Sequence, residues 1–266
     1  MRAAVCGHPI SHSLSPVLHR AAYAALGLEH TYEAIDLTED GLEDFVSTCG
    51  DSWMGLSLTM PLKEVAFSVA TAVSIRAKLT GAINTLIFDG GIRADNTDIY
   101  GIEHAVREST NEIGGPFTII GSGATARSAV VAAQQLGATS ISVVARNTET
   151  ASECVNLGRE LGITSTHSQF KSAQWQESAV TINTTPAGVA DELISRGTPT
   201  GGLLLDVIYS PWPTQLANAW GTGGGSTCAG HVMLLHQAGE QVRLMTGQDA
   251  PIEAMRTALN LALTSR

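Results

Sequence analysis

Positive charge is scarce in this sequence, and lysine is scarcer still. Of 266 residues, 15 are Lys or Arg against 25 Asp or Glu, a formal net charge of −10. Binding nucleic acid or an anionic membrane through an overall field needs the opposite balance, so both are excluded as general partners. A small anion is not excluded, but its site must be built from a few placed donors. Lysine occurs only at Lys63, Lys78 and Lys171. Each is informative, because an amine can exchange a proton where a guanidinium cannot. Cysteine is sparse and scattered (Cys6, Cys49, Cys154, Cys228), with no C-x-x-C pair. That excludes a disulfide framework or a cysteine zinc site and suits buried thiols in a reducing compartment. The histidines include His8, His12, His19, His231 and His236 but form no H-E-x-x-H, so no metal is expected. The N-terminus lacks the 7–15-residue apolar stretch of a secretory signal, and no apolar run reaches 18 residues. Charged residues are only 15% and hydrophobic ones 44%, which excludes disorder and leaves material for a core. These features describe a cytoplasmic chain of about two domains, monomer or homodimer.

What is present reads as two grammars. In the first hundred residues, strands are expected at 3–6, 31–36 and 54–58, and a hairpin at 83–88 and 92–94 around Asp89-Gly90-Gly91. Helices are expected at 17–26, 38–47, just after Pro61 and at 98–109. Ser15 is the expected N-cap of the first helix, with Pro16 at its first turn. After a polar break at 111–116 the order becomes apolar strand, glycine turn, helix, strand. Strands are expected at 117–120, 140–145, 180–183 and 203–207, and helices at 124–136 and 148–161. That alternation implies a parallel sheet with helical crossovers. A loop at 221–225 precedes helices at 231–244 and 252–263. The fold class is α/β: an N-terminal α/β domain, a Rossmann-type doubly wound domain, and C-terminal helices. The expected boundaries are 1–99, 100–229 and 230–266.

Gly121-Ser122-Gly123-Ala124-Thr125-Ala126 fits G-x-G-x-x-G/A and sits between an expected strand and an expected helix. Gly121 permits the tight turn, Gly123 lets a pyrophosphate approach the backbone, and the helix N-terminus offers N–H donors. The next strand ends in Ala145-Arg146-Asn147-Thr148. An NAD site usually carries Asp or Glu there; Arg146 suits a 2′-phosphate and hence NADP(H), unless it is only a surface arginine.

The N-terminal half holds several short polar motifs. Gly7-His8-Pro9-Ile10-Ser11-His12-Ser13-Leu14-Ser15-Pro16 places two hydroxyls, Ser13 and Ser15, at a helix start, a way to hold a carboxylate without a cation. Gly55-Leu56-Ser57-Leu58-Thr59-Met60-Pro61-Leu62-Lys63 runs off the end of a strand. Gly81-Ala82-Ile83-Asn84-Thr85 and Asp95-Asn96-Thr97-Asp98 are further turns, where Asp98 is either functional or a helix cap. Gly230-His231-Val232-Met233-Leu234-Leu235-His236-Gln237 comes late.

Together, and in this order, these motifs resemble the shikimate dehydrogenase family over nearly the whole chain. The family patterns are G-x-P-I-x-H-S-x-S-P-x-x-H (closed here by His19), G-x-N-V-T-x-P-x-K, G-A-x-N-T, N-T-D-x-x-G and G-x-x-M-L-x-x-Q. The resemblance implies NADPH-linked, reversible reduction of 3-dehydroshikimate to shikimate in aromatic amino-acid (chorismate) biosynthesis. It implies that Ser13, Ser15 and Thr59 hold the carboxylate, and that Asn84, Asp98 and Gln237 bind ring hydroxyls. Tyr209 would line the pocket, and Lys63 would be the catalytic group with Asp98. On the cofactor side it points to Gly121, Ser122, Gly123, Ala124, Thr125, Ala145, Arg146, Asn147, Thr148, Thr184, Val207 and Gly230. Three departures stand out. Ser57 replaces the usual asparagine, which leaves a hydrogen bond lost or taken by water. Ala145-Arg146-Asn147 replaces Asn-Arg-Thr, and Ala124-Thr125 replaces Gly-Ala.

As hydride reaches the ketone carbon, the oxygen gains negative charge; Lys63 can stabilise it and pass on a proton, with Asp98 orienting the amine. A substrate shared by Ser13 and Gln237 requires the last helices to return to the first domain, with the site in the cleft between domains. Two other readings stay open. One is an NAD-dependent quinate/shikimate dehydrogenase, which an acidic residue at position 146 would favour. The other is a non-catalytic ligand sensor, which loss of Lys63 or Asp98 would favour.

Overall fold

The structure is a computed structural model and describes residues 1–111, 113–175, 177–197 and 201–265. Along the chain run β1 (Arg2–Gly7), α1 (Ser15–Ala25), β2 (Thr31–Asp36), α2 (Leu42–Ser47), β3 (Trp53–Leu58), α3 (Leu62–Val65), β4 (Ala72–Val73), α4 (Ile75–Thr80), β5 (Thr85–Phe88) and β6 (Ile92–Asp95). Then come α5 (Asp98–Ser109), β7 (Gly115–Ile120), α6 (Ala124–Gln135), β8 (Ala138–Ala145), α7 (Thr148–Glu160), β9 (Thr164–Gln169), β10 (Val180–Asn183) and β11 (Leu203–Asp206). The chain ends with α8 (Gln215–Thr222), β12 (Ser226–Ala229), α9 (Gly230–Thr246) and α10 (Ile252–Thr264). It divides into two units, Met1–Thr97 with Leu234–Arg266, and Asp98–Met233.

The first unit carries a six-stranded mixed sheet in the order β2-β1-β3-β5-β6-β4. β1 runs parallel to both β2 and β3, and β5 and β6 form the expected hairpin, antiparallel to each other. The order reverses at β1, so loops leave β1 and β3 in opposite directions and open a crevice at their carboxyl ends, the usual ligand position in α/β sheets. Because β5 is antiparallel to β3 and β6 to β5, the start of β5 and the end of β6 lie at that same end. α10 packs against α1 within this unit. The core here is Leu42, Val46, Leu56, Leu62, Ile83 and Leu86 with their neighbours.

The second unit is a fully parallel sheet in the order β12-β11-β10-β7-β8-β9. The reversal lies between β7 and β10. The central strands are buried on both faces, which is why their sequences are continuous apolar runs. Ile119, Val143, Ile182 and Leu205 pack with Ala129, Val130 and Ala133 of α6.

Several local expectations are corrected. Residues 38–47 are not one helix: a 3₁₀ turn, Glu39–Gly41, precedes α2, and Gly41 with its poor helix propensity marks the join. Leu14, not Ser15, is the cap residue of α1; Pro16 already occupies the first turn, and the Ser15 N–H donates to Ser13 Oγ at 3.3 Å. β4, α4, β9, α8 and β12 are additions to the expected elements. Among the described residues, no helix is long and apolar enough to cross a membrane, and no cluster of His, Cys, Asp or Glu is arranged to hold a metal.

Candidate functional site

The polar motifs of the first unit are brought to one end of its sheet by backbone hydrogen bonds. The Thr59 N–H donates to Cys6 O (3.0 Å) and the His8 N–H to Met60 O (3.0 Å), tying the loops that follow β1 and β3. The Leu58 N–H donates to Asn84 O (2.7 Å), the Ile83 N–H to Lys63 O (2.8 Å), and the Asn84 N–H to Asp95 O (3.1 Å). The loop bearing Ser13, the turn bearing Thr59 and Lys63, and the turns at 81–85 and 95–97 therefore form one connected rim. Ser13, Thr59 and Lys63 are half-buried, and Ser15 is buried.

Asn84 is the hub of that rim. Its Oδ1 accepts from the Thr97 N–H (2.8 Å) and the Thr85 hydroxyl (2.7 Å), and its Nδ2 donates to Thr97 Oγ1 (3.0 Å) and Gln237 Oε1 (3.3 Å). The structure thus brings Asn84 and Gln237 together although they lie 153 residues apart. Asp98 follows Thr97 directly, buried at the first position of α5. A helix N-terminus is where a carboxylate is electrostatically favoured.

Behind the rim, Asp95 of the fourth motif meets charged and polar residues that the motifs did not reveal. Asp95 accepts from Arg76 Nη2 (2.7 Å) and the Ser74 hydroxyl (2.7 Å), and Glu240 accepts from Arg243 (2.8 Å) and Arg76 (3.4 Å). Burial alone would raise the Asp95 pKa, but the Arg76 and Ser74 hydrogen bonds, the Arg76 charge and the Asn96 N–H outweigh it and hold it low. Ser57 leaves no lost bond: its hydroxyl accepts from Tyr32 (2.6 Å) and donates to Gln241 Oε1 (2.8 Å). The expected gap is filled from α9.

His19 is fully buried and stacks on Tyr32 with 3.9 Å between centroids. Burial pushes its pKa down to about 3, opposed only in part by the Gln241 hydrogen bond. The unfolded chain takes up this proton near pH 6.5, whereas the folded chain refuses it until about pH 3. The unfolded state binds more protons in that window, so stability is present above pH 6.5 and falls as pH drops through it. At pH 5, about 1.5 below the free value, the cost is about 2 kcal/mol. Denaturant unfolding between pH 7 and 5 should show this loss, with a flatter profile in His19→Asn. An equally steep profile in that variant contradicts the assignment.

In the second unit the switch point lies between β7 and β10. The Gly121 N–H donates to Val144 O (2.9 Å), and Thr184 donates through both its N–H and its hydroxyl to Ile120 O (2.8 Å each). Gly121 has φ +112°, and a Cβ there would overlap Thr184 Oγ1, so only glycine fits. Gly123 differs: its φ is −85°, and a Cβ would point into open space. Nothing in the protein demands glycine there, and a group lying over the α6 N-terminus would. No side chain caps that N-terminus and no acid occupies its first turn. These residues fit a bound pyrophosphate.

Ser122 and Thr125, half-buried, complete the turn, with the Ser122 hydroxyl 2.7 Å from Thr150. Asn147 caps α7, accepting from the Glu149 and Thr150 N–H groups, and Thr148 accepts from Gln169 (2.6 Å). Arg146 is exposed just past β8, its guanidinium carbon 6.0 Å from the Phe170 ring centre. Beyond β10 and β11, buried Asp206 accepts from Asn183 (3.0 Å), Thr214 (2.7 Å) and the Ile208 N–H (3.2 Å). Burial raises its pKa despite those bonds. This cluster braces the segments carrying Thr184, Val207 and half-buried Tyr209. A Cβ at Gly230 would strike the Val207 backbone, so glycine alone permits that approach.

Known proteins resemble this chain in sequence and in fold. Residues 5–86 match the shikimate dehydrogenase substrate binding domain, and residues 230–259 match the shikimate 5′-dehydrogenase C-terminal domain. The shikimate dehydrogenase (NADP(+)) of Synechocystis sp. is 31% identical, covering 96% of this chain and 93% of that protein. That of Methanosarcina mazei is 33% identical over 97% of each. The crystal structure of Mycobacterium tuberculosis shikimate dehydrogenase is 43% identical, with a TM-score of 0.89 over 98% of this chain and 99% of that one. A Thermus thermophilus shikimate 5-dehydrogenase in complex with NADP(H) and shikimate is 30% identical, with a TM-score of 0.85 over 98% and 99%. End-to-end likeness in sequence and in fold, over a chain that keeps the lysine, the amides and the glycine turn in order, makes this protein a member of the shikimate dehydrogenase family.

Proposed function

We propose that this chain is an NADP-dependent shikimate dehydrogenase, reducing 3-dehydroshikimate reversibly to shikimate in the cytoplasm for aromatic amino-acid biosynthesis. The observation that carries the reading is the rim of the first unit. Ser13, Thr59, Lys63, Asn84 and Gln237 stand on segments bound together at the carboxyl end of β1 and β3. Neutral hydroxyls of Ser13, Ser15 and Thr59 take the carboxylate, which fits a chain with little positive charge to spare. The Asn84, Gln237 and Asp98 side chains take the ring hydroxyls, and Tyr209 is assigned to the same substrate.

NADPH, when bound, supplies a hydride. The first turn of α6 and the glycines Gly121 and Gly123 take its pyrophosphate, and Arg146 with Thr148 takes its 2′-phosphate. Thr184, Val207 and Gly230 border the nicotinamide. Lys63 does the proton work: its ammonium faces the ketone oxygen, stabilises the charge that develops there and donates one proton, giving a hydroxyl and a neutral amine. Asp98 orients the amine, which recovers its proton from solvent.

The test is product identity. Purified protein with NADPH and 3-dehydroshikimate should convert them one for one into NADP and shikimate, resolved by chromatography. NADPH consumption without shikimate, or none at all, overturns the reading.

A further inference from the structure

We propose that Gln241 is a positioning residue for this reaction. From α9 it supplies the side-chain amide that the family pattern carries at position 57, and together with the Thr97 N–H it holds the hydrogen-bonding atoms that Asn84 and Gln237 present to the substrate. This rests on the proposed function.

Gln241 is buried one helical turn beyond Gln237 and meets three other elements. Its Oε1 faces the Ser57 hydroxyl of β3 (2.8 Å) and His19 Nε2 of α1 (3.3 Å). Its Nε2 donates to Asn84 O (3.1 Å) and to Thr85 Oγ1 of β5 (3.1 Å). An amide oxygen only accepts, so His19 carries its proton on Nε2, and Nδ1 accepts from the Tyr23 hydroxyl (3.3 Å). Burial keeps the ring neutral, which preserves that arrangement.

Every further bond then has one direction. Tyr32 donates to Ser57, and Ser57 to Gln241. Gln241 donates to Thr85 Oγ1, leaving the Thr85 proton for Asn84 Oδ1. Oδ1 also accepts the Thr97 N–H (2.8 Å), so the Asn84 amide turns its Nδ2 toward Thr97 Oγ1 and Gln237. Gln237 must answer with Oε1, so its Nε2, which donates to Leu234 O at 3.2 Å, is the end that offers an N–H to a ligand oxygen. The chain of bonds, with the Thr97 N–H and Leu234 O, holds Gln237 as a fixed donor.

Ser57 and Gln241 are alternatives to an asparagine at position 57. Both are buried, at 2% and 1% exposure. The terminal atoms of an asparagine lie one bond beyond the serine Oγ position and would enter the space held by Gln241 Oε1. One amide fits there, from β3 or from α9.

The test uses the full chain, with kcat and KM measured separately for shikimate and NADP alongside the thermal midpoint. Gln241→Met, which keeps the length and loses the amide, should raise the shikimate KM about tenfold, the worth of one hydrogen bond, and leave the NADP KM unchanged. Ser57→Asn alone should be impaired by crowding. Ser57→Asn with Gln241→Ala should return within about threefold of the parent, because the two sites are coupled. A Gln241→Met chain with parental shikimate KM overturns the proposal. So does a double variant in which the single losses simply add, or equal KM rises for both ligands. If Gln241→Met does not fold, recovery in the double variant decides the matter. A parent that turns over no shikimate overturns the functional reading itself, whereas an active parent with an indifferent Gln241 overturns only this assignment.

Discussion

Lys63→Ala is expected to lower kcat about 10³-fold while moving the shikimate KM by less than about threefold, the range a positioned proton donor supplies. That loss corresponds to about 4 kcal/mol of transition-state stabilisation. The effect is one of timing. The ketone and the product hydroxyl are both neutral, so an ammonium gains most when negative charge develops between them. A group that binds both end states equally would change KM instead. Lys63 is placed for this by its main chain: its carbonyl accepts the Ile83 N–H at 2.8 Å, so the short helix α3 is fixed to the turn that carries Asn84. Steady-state kinetics in both directions, with the thermal midpoint as a control for folding, check it. A raised KM with parental kcat would make Lys63 a binding residue only.

Arg146→Asp is expected to raise the NADPH KM on the order of 100-fold while NADH use is unchanged or improved, because a carboxylate repels a 2′-phosphate and accepts from a ribose hydroxyl. Arg146 lies past the end of β8, beside the cap of α7 and within reach of the Phe170 ring. At 6.0 Å from the ring centre that contact is weak, so the substitution costs the fold little. Kinetics with the two cofactors, run side by side, separate the outcomes. Equal losses with NADPH and NADH would show that Arg146 serves the fold rather than the phosphate.

The elements legible in the sequence were those whose pattern follows from burial. β7, β8, β10 and β11 are buried runs, and glycines or polar breaks bound them, so their positions followed directly. β9 reads Thr-Ser-Thr-His-Ser-Gln and lies at the sheet edge, where few side chains need be apolar. β12 is four residues long, and Gly221, expected to open a loop, lies in the last turn of α8. α4 did carry a signal, since Ser74 caps it by accepting the Ala77 N–H. The candidate site residues were legible because their motifs are short and local. Gln241, Arg76, Glu240 and Asp206 were not, because each acts on partners far away in sequence: Gln241 on Asn84 and Ser57, Arg76 on Glu240, Asp206 on Asn183. Such pairings depend on which strands and helices meet, and no local pattern encodes that.

The proposed function requires that one chain join a shikimate site to an NADP site. The most direct measurement is reduced-nicotinamide formation by purified protein offered shikimate or quinate, each with NADP or NAD. Shikimate with NADP should be the best pair by at least about tenfold in kcat/KM, the factor one charge-assisted contact supplies. Quinate with NAD as the best pair would contradict the Arg146 assignment and place the chain on another branch of its family. Shikimate binding with no reduction in any pairing would contradict catalysis altogether.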